Sequence, residues 1–188
     1  MILNNEVYEI EIVVDETYTI NSTDNNHYNY VYNPYELGDN DFINVYSIKI
    51  KSNEKVINIA LIGRLYSNID NCAVLHNAVL IVLQNEMISQ IDITTGELLS
   101  SKIIETFGSN FSIHQIKTGY IIHGEIEIIK LTFDFEIEWA FSARDIFATL
   151  DGKPAFELCD NCIKLYDFEN NYYEIDFNGK LIREKQAR

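Results

Sequence analysis

The stretch QIKTGYIIHGE (115–125) decides the fold, because similar stretches start 42 residues before it and 42 residues after it. The earlier copy is AVLHNAVLIVL (73–83) and the later copy is ELCDNCIKLYD (157–167). Each copy has an apolar run, a short polar turn and a second apolar run. The Gly and Asn residues in these stretches tolerate the positive φ angles that tight hairpins need. The predicted two-residue turns are His76-Asn77, Thr118-Gly119 and Asp160-Asn161.

Alternation of apolar and polar residues dominates the rest of the chain and is typical of half-buried antiparallel strands. The composition agrees, since 12 Tyr and 10 Phe accompany abundant Ile and Val, whereas there are only 2 Pro. Only SARDIFATL (142–150) has a pattern that a helix would accommodate. We therefore predict an all-β protein. The predicted strands, beyond the hairpins above, cover residues 7–14, 42–50, 55–62, 111–117, 125–133 and 171–177.

A second hairpin follows each copy, in QIDITTGELL (90–99), KLTFDFEIEW (130–139) and EIDFNGKLI (174–182). Each unit thus contains four strands in about 42 residues, the size of a β-propeller blade. The first and third turns run from an Asp to a Gly, whereas the middle turn has Thr132 and Phe135 and must be built differently.

The segment Asp92-Ile-Thr-Thr-Gly-Glu-Leu98 resembles the repeat of quinoprotein-type (PQQ-like) β-propellers, and Glu136-Ile-Glu-Trp139 is similar to the Glu-Leu-Trp that ends that repeat. The likeness covers about residues 43–185. It implies antiparallel four-stranded meander repeats in a four-bladed or partial β-propeller. It does not imply the quinone, because the family's enzymes are much longer and the sequence shows no metal-binding constellation for that cofactor. We expect no cofactor.

The domain prediction is a single β-propeller-like domain over residues 1–188. Its units are about 71–104, 111–141 and 154–185, with a degenerate unit at about 27–65 and an N-terminal strand at 7–14. The sequence is compatible with three architectures: a closed four-bladed ring, an open partial propeller or half of a homodimer. An open form would expose blade edges, which strand 7–14 or a partner would cover.

The net charge of −15 limits the classes of molecule that the chain is expected to bind. Such a charge repels nucleic acids and anionic membrane surfaces and attracts basic proteins, although solubility alone also explains it. The N-terminus lacks a basic region followed by an apolar block, and no apolar run reaches the length of a membrane span. Three cysteines, an odd number, fit a reducing compartment. We expect a cytoplasmic protein.

Cys159 and Cys162 form a Cys-x-x-Cys pair, which raises the question of a zinc or redox site. A structural zinc site needs four ligands, but Cys72 is distant and the histidines at 27, 76, 114 and 123 show no ligand spacing. The pair flanks the third hairpin turn, so we predict a structural role and no metal. Whether the two thiols oxidise stays open.

The loops between units, at 63–70, 105–110 and 142–153, are the predicted binding regions, because loops on a rigid scaffold carry recognition. Tyrosines 28, 30, 32 and 35 form an aromatic face for which we favour core packing over binding. The histidines form no triad, and no catalytic residue is predicted. The candidate binding residues are Arg64, Tyr66, Asp70, Phe107, Arg144, Asp145 and Phe147, the last expected to be exposed.

These features favour a non-enzymatic module that binds a basic protein. Its profile of short length and strong acidity resembles bacterial immunity proteins, which neutralise a toxin domain such as a basic nuclease. Two alternatives remain. One is a propeller that binds a carbohydrate or small ligand, or processes a glycoside. The other is a structural half-propeller that associates with itself.

Overall fold

The computed structural model describes residues 1–64, 69–150 and 152–187. The chain divides into two compact units, unit 1 (Met1–Ile103) and unit 2 (Ile104–Arg188), and each is described by itself. Within the described residues there are 17 strands and no helix, which confirms the predicted all-β class. Segment 142–150 is not helical, because its first residue ends a strand and the others are irregular. A helix suited to crossing a membrane is absent from this described part.

The first sheet of unit 1 has five strands in the order β1-β2-β4-β5-β3. Strand β2 contains most of the predicted N-terminal strand and pairs with the edge of β4, while β3 pairs in parallel with β5. Residues 27–42 therefore supply one short strand rather than the antiparallel half-blade expected of a degenerate unit. The strands are β1 (Ile2–Asn4), β2 (Glu9–Val14), β3 (Tyr30–Tyr32), β4 (Ile43–Lys51) and β5 (Val56–Arg64).

The second sheet of unit 1 is an antiparallel meander in the order β6-β7-β8-β9. Alternate residues of both sheets, including Ile10, Ile48, Ile59 and Leu80, form one buried apolar cluster. Each such side chain contributes roughly 1.5–3 kcal/mol when it leaves water. The strands are β6 (Ala73–His76), β7 (Val79–Gln84), β8 (Met87–Asp92) and β9 (Leu98–Ile103).

Unit 2 contains two further antiparallel meanders, β10-β11-β12-β13 and β14-β15-β16-β17. Ile121, Ile128, Ile163, Leu165 and Ile175 belong to a shared buried cluster. The three meanders confirm the predicted blade-like repeat of a β-propeller type. The strands are β10 (Asn110–Ile116), β11 (Gly119–Gly124), β12 (Glu127–Leu131), β13 (Ile137–Ser142), β14 (Phe156–Leu158), β15 (Ile163–Tyr166), β16 (Tyr172–Ile175) and β17 (Leu181–Lys185).

The first turn of each meander lies close to the predicted position but not always on it. The turns between β6 and β7 and between β10 and β11 are Asn77-Ala78 and Lys117-Thr118, one residue from the prediction. Gly119 instead opens β11 with a φ of 140°, where a Cβ atom would lie 2.0 Å from the Leu131 carbonyl oxygen. The position of the turn thus depends on the space around the backbone, which the identities of the turn residues alone do not specify. Asp160-Asn161 lies at the third turn, as predicted.

The second hairpin of each meander carries a β-bulge, at Gln90/Ile91, Lys130/Leu131 and Glu174/Ile175. In the middle turn, the Thr132 hydroxyl accepts the backbone N–H groups of Asp134 and Glu136 at 3.3 and 3.2 Å. In the other two turns, the carboxylates of Asp92 and Asp176 accept the backbone N–H groups instead. Phe135 has a φ of 59° where those turns have glycine. The middle turn is therefore built differently, as its sequence predicts.

Candidate functional site

The connection from β2 to β4, residues 15–42, is the most distinctive surface feature of unit 1, and we call it the acidic loop. It contains six Asp or Glu, no Lys or Arg, six Asn and five Tyr. Connections of this length without much secondary structure are usually functional or disordered. Here the loop is ordered by its own side chains.

Asp15 organises the start of the acidic loop. Its carboxylate accepts hydrogen bonds from the Thr17 N–H at 3.0 Å, the Thr17 hydroxyl at 2.6 Å, Asn26 Nδ2 at 3.0 Å and the Tyr28 hydroxyl at 2.6 Å. Partial burial raises the pKa of Asp15, but these hydrogen bonds outweigh it and hold the pKa at about 2. The carboxylate is therefore ionised at neutral pH.

Asparagine side chains close the remaining turns of the acidic loop. Asn25 pairs with the Thr19 backbone in both directions, at 2.9 and 2.7 Å. Asn33 does the same with the Leu37 backbone, at 2.8 and 3.0 Å. Outside the short strand β3, these bonds take the place of a strand ladder and hold the loop in its conformation.

Apolar contacts fix the acidic loop to the sheet beneath it. Tyr18, Ile20, Tyr28 and Leu37 pack on a buried cluster formed by β4 and β5. Tyr30 and Tyr32 stack with ring centroids 5.8 Å apart, and the Tyr32 hydroxyl donates to the Gly96 carbonyl at 2.9 Å. Tyr18, Tyr28, Tyr32 and Tyr35 are thus half-buried supports, whereas Tyr30 is exposed.

The outer face of the acidic loop carries negative charge without compensation. Five of its carboxylates are exposed, and none forms an ion pair with a cation in the described residues. Phe42 is 79% exposed beside them. Two shallow pockets of about 460 and 290 Å³ share Asn26, His27 and Tyr28. The exposed carboxylates are Glu16, Asp24, Glu36, Asp39 and Asp41.

The predicted binding residues of unit 1 occupy the end of β5 and the segment after it. The Arg64 guanidinium contacts Glu86 Oε1 at 3.3 Å and lies 5.0 Å from the centroid of the Tyr35 ring. Burial raises the pKa of Tyr35, whose hydroxyl donates to the Gln84 carbonyl. Arg64 therefore supports the end of the acidic loop. Asp70 is exposed, and Tyr66 lies outside the described residues.

The predicted residues of unit 2 have separate partners. Phe107 is 71% exposed, and its N–H donates to the Glu127 carboxylate at 3.3 Å. Arg144 donates to Glu184 through Nε at 3.0 Å. The Asp145 carboxylate accepts the N–H of the next residue at 2.8 Å. They do not form one constellation through these contacts.

Phe147 is fully buried, so the expectation that it is exposed was wrong. Its ring packs in the apolar cluster of unit 2, with its centroid 6.3 Å from that of Phe141. Its N–H donates to the Glu125 carbonyl at 2.6 Å, which holds the segment against the β11–β12 turn. An irregular segment has no periodicity from which the inward direction of this side chain could be read.

Cys159 and Cys162 face each other across a hairpin turn, as predicted. The Cys159 N–H donates to the Cys162 carbonyl at 2.9 Å, and both thiols are free. Burial raises the pKa of Cys162 to about 11, with the Cys159 sulfur as the next cause. A protonated thiol is a poor nucleophile and a poor metal ligand. In the described residues, no three His, Cys, Asp or Glu side chains are grouped as metal ligands would be.

Comparison with known proteins gives a likeness of fold. No family model and no curated protein matches the chain. The computationally designed protein Ika8 is similar over 81% of this chain and 48% of its own, with a TM-score of 0.54 and 12% identity. BamB from Moraxella catarrhalis is similar over 78% of this chain and 48% of its own, with a TM-score of 0.49 and 9% identity. The chain thus spans about half the length of each, and this likeness concerns the fold alone.

Proposed function

We propose that this chain is a non-enzymatic protein-binding module and that its acidic loop binds a basic partner protein. The observation that carries the proposal is the set of five exposed carboxylates that form no ion pair in the described residues, on an ordered loop that has no Lys or Arg. Such a surface has no compensating charge of its own, so a partner that supplies Lys and Arg would complete it.

The composition of the acidic loop also suits recognition. Antibody paratopes are rich in Tyr, Asn and Ser, because Tyr supplies contact area at low entropic cost and Asn supplies adaptable hydrogen bonds. In this loop Asp15, Asn25 and Asn33 already hold the backbone. An ordered loop loses less conformational entropy on binding than a flexible one, so more of the contact energy becomes affinity.

The net charge of −15 means that the chain as a whole, and not only the acidic loop, favours a basic partner. A field of one sign accelerates encounter with a partner of opposite sign, and salt screens that acceleration. We propose a toxin domain such as a basic nuclease as the partner, which would make the chain an immunity-type protein in the cytoplasm. The blade-like meanders, with the Asp92 turn and the Trp139 segment, are proposed to be PQQ-like repeats serving as the rigid scaffold.

Binding kinetics with purified proteins test this proposal. The test partners are purified basic toxin domains, such as nucleases, encoded at the same locus, and association is measured at low and high NaCl. The loop variant is D24N/E36Q/D39N/D41N, whose amides keep an acceptor oxygen for the loop's own hydrogen bonds. The control variant E6Q/E54Q/E97Q/E169Q has the same net charge but changes exposed carboxylates elsewhere.

We expect the loop variant to associate at least about tenfold more slowly at low salt, with the control variant within about threefold of the parent. Equal slowing in both variants would mean that the net charge, not the acidic loop, governs association. Salt-independent association, or the absence of any complex, would contradict the proposal.

A further inference from the structure

Unit 2 carries a separate groove of about 990 Å³, formed where three turns approach one another. The turns are those between β10 and β11, between β14 and β15, and between β16 and β17. Ile116, Leu158 and Phe177 supply its apolar lining. This volume lies within the range of pockets that hold small ligands, which are typically apolar with a few polar groups that fix orientation.

Three polar side chains from different turns line the groove. Thr118, Asn161 and Asn178 line it from three different turns. The Thr118 and Asn161 side chains make no hydrogen bond in the described residues, and the Asn178 side chain bonds the Asp176 carboxylate. Their hydroxyl and amide groups both donate and accept hydrogen bonds. Because these groups converge from separate hairpins, they favour a ligand that itself both donates and accepts hydrogen bonds.

Lys130 adds a buried donor. Only 5% of its side chain is exposed, and its ammonium contacts both Glu138 carboxylate oxygens at 3.0 Å. Glu138 is the extra residue of the β-bulge, since Lys130 pairs with Trp139 and Leu131 with Ile137. An ammonium has three N–H donors, and Glu138 is its single partner in the described part of the chain. A donor therefore remains for a ligand in the groove.

The charges of the groove cancel. Lys117 and Lys130 balance Glu138 and Asp160, so the lining has no net charge although the chain as a whole is strongly acidic. An anionic ligand would be repelled by the surrounding field, and a cationic ligand would find no excess of carboxylates. The remaining class that matches is neutral and rich in hydrogen-bonding groups.

We propose that this groove binds a neutral oligosaccharide. The apolar C–H face of a sugar ring would pack on half-buried Phe177, and its hydroxyls would bind Thr118, Asn161, Asn178 and the Lys130–Glu138 pair. The site lies wholly in unit 2 and uses no residue of the acidic loop. Its failure would leave the proposed protein-binding function unaffected.

Trp139 makes the groove directly observable. It is the single tryptophan of the chain, and its indole N–H donates to the carbonyl of Phe177 at 3.1 Å. Intrinsic fluorescence of the full chain is titrated with maltohexaose, cellohexaose and chitohexaose, and with a heparin hexasaccharide as the charged comparison. The N161A/N178A variant removes two groove amides, while N40A/N53A removes two exposed amides of unit 1.

We expect a saturable change in Trp139 emission with at least one neutral hexasaccharide. The Kd should rise at least about tenfold in N161A/N178A and stay unchanged in N40A/N53A. The same saccharide should slow alkylation of Cys159, which lines the groove. Unfolding temperatures verify that the variants remain folded. No saturation with any neutral probe, unchanged affinity in N161A/N178A, or tighter binding of heparin would overturn the proposal.

Discussion

The Tyr28 hydroxyl donates to the Asp15 carboxylate at 2.6 Å and so joins residues 13 positions apart in the acidic loop. Thr17 and Asn26 bind the same carboxylate, which makes Asp15 the common acceptor of the loop's first half. The conformation of the first half of the acidic loop therefore depends on one ionised side chain. This relationship underlies the first prediction.

Replacing Asp15 with alanine should loosen the acidic loop without unfolding the sheets. The free energy of unfolding should fall by about 1–2 kcal/mol, because hydrogen bonds to a charged acceptor are lost at a partly exposed position. Urea unfolding measures that loss. Hydrogen exchange should accelerate in residues 15–42 and remain slow in β4 and β5. Tyr28→Phe, which removes one donor, should give a smaller effect in the same direction.

Acid should destabilise unit 2 through two half-buried histidines. Burial lowers the pKa of His114, and it lowers that of His123 from 6.5 to about 4. Their rings flank Phe156, with centroids 4.8 and 5.0 Å from it. Since the unfolded chain takes up protons near pH 6.5 and the folded chain does not, the stability present above pH 6.5 is lost as the pH falls towards 4.

The loss due to His123 should approach about 3 kcal/mol at the acidic end of this range. Urea unfolding at pH 7.5, 6, 5 and 4 measures it. His123→Phe keeps an aromatic ring beside Phe156 and should flatten the dependence, whereas replacing exposed His27 with Gln should leave it unchanged. Parallel pH curves for the parent and His123→Phe would show that His123 does not cause the effect.

Gly119 should tolerate no side chain. A Cβ atom there would lie 2.0 Å from the Leu131 carbonyl oxygen, so Gly119→Ala must push β11 and β12 apart. Gly152 also has a positive φ, of 75°, but open space around it. Gly152→Ala should therefore cost about 1 kcal/mol, from backbone strain alone, and Gly119→Ala clearly more. Similar unfolding midpoints for the two variants would contradict the clash.

Period-2 alternation made most of the strands predictable, because a strand with one buried face has apolar residues at every second position. The order of the meanders followed from the repeat, whereas the turn at Asn77 was misplaced by one residue because several polar residues there suit a turn. The acidic loop was not recognised as a site. Its structure depends on bonds such as Asp15 to Tyr28, and side-chain networks of this kind have no period.

The sequence contains enough information to predict part of the groove of unit 2, although no site was predicted there. Thr118, Asn161 and Asn178 all belong to hairpins that the repeat identifies, and a comparison of equivalent turns would have singled them out. The burial of Lys130 and its pairing with Glu138 depend on a bulge, which the sequence does not show. Phe147 was misjudged for a similar reason, since an irregular segment gives no direction for its side chain.

Hydrogen exchange of the complex with the basic partner tests the central claim most directly. Exchange is measured by mass spectrometry for the chain alone and for the chain saturated with a basic toxin domain that forms a complex with it. Protection on binding should be strongest in residues 15–42 and should disappear in D24N/E36Q/D39N/D41N at the same partner concentration. Protection centred on residues 105–110 or 142–153, with the acidic loop unchanged, would contradict the assignment of that loop as the binding surface.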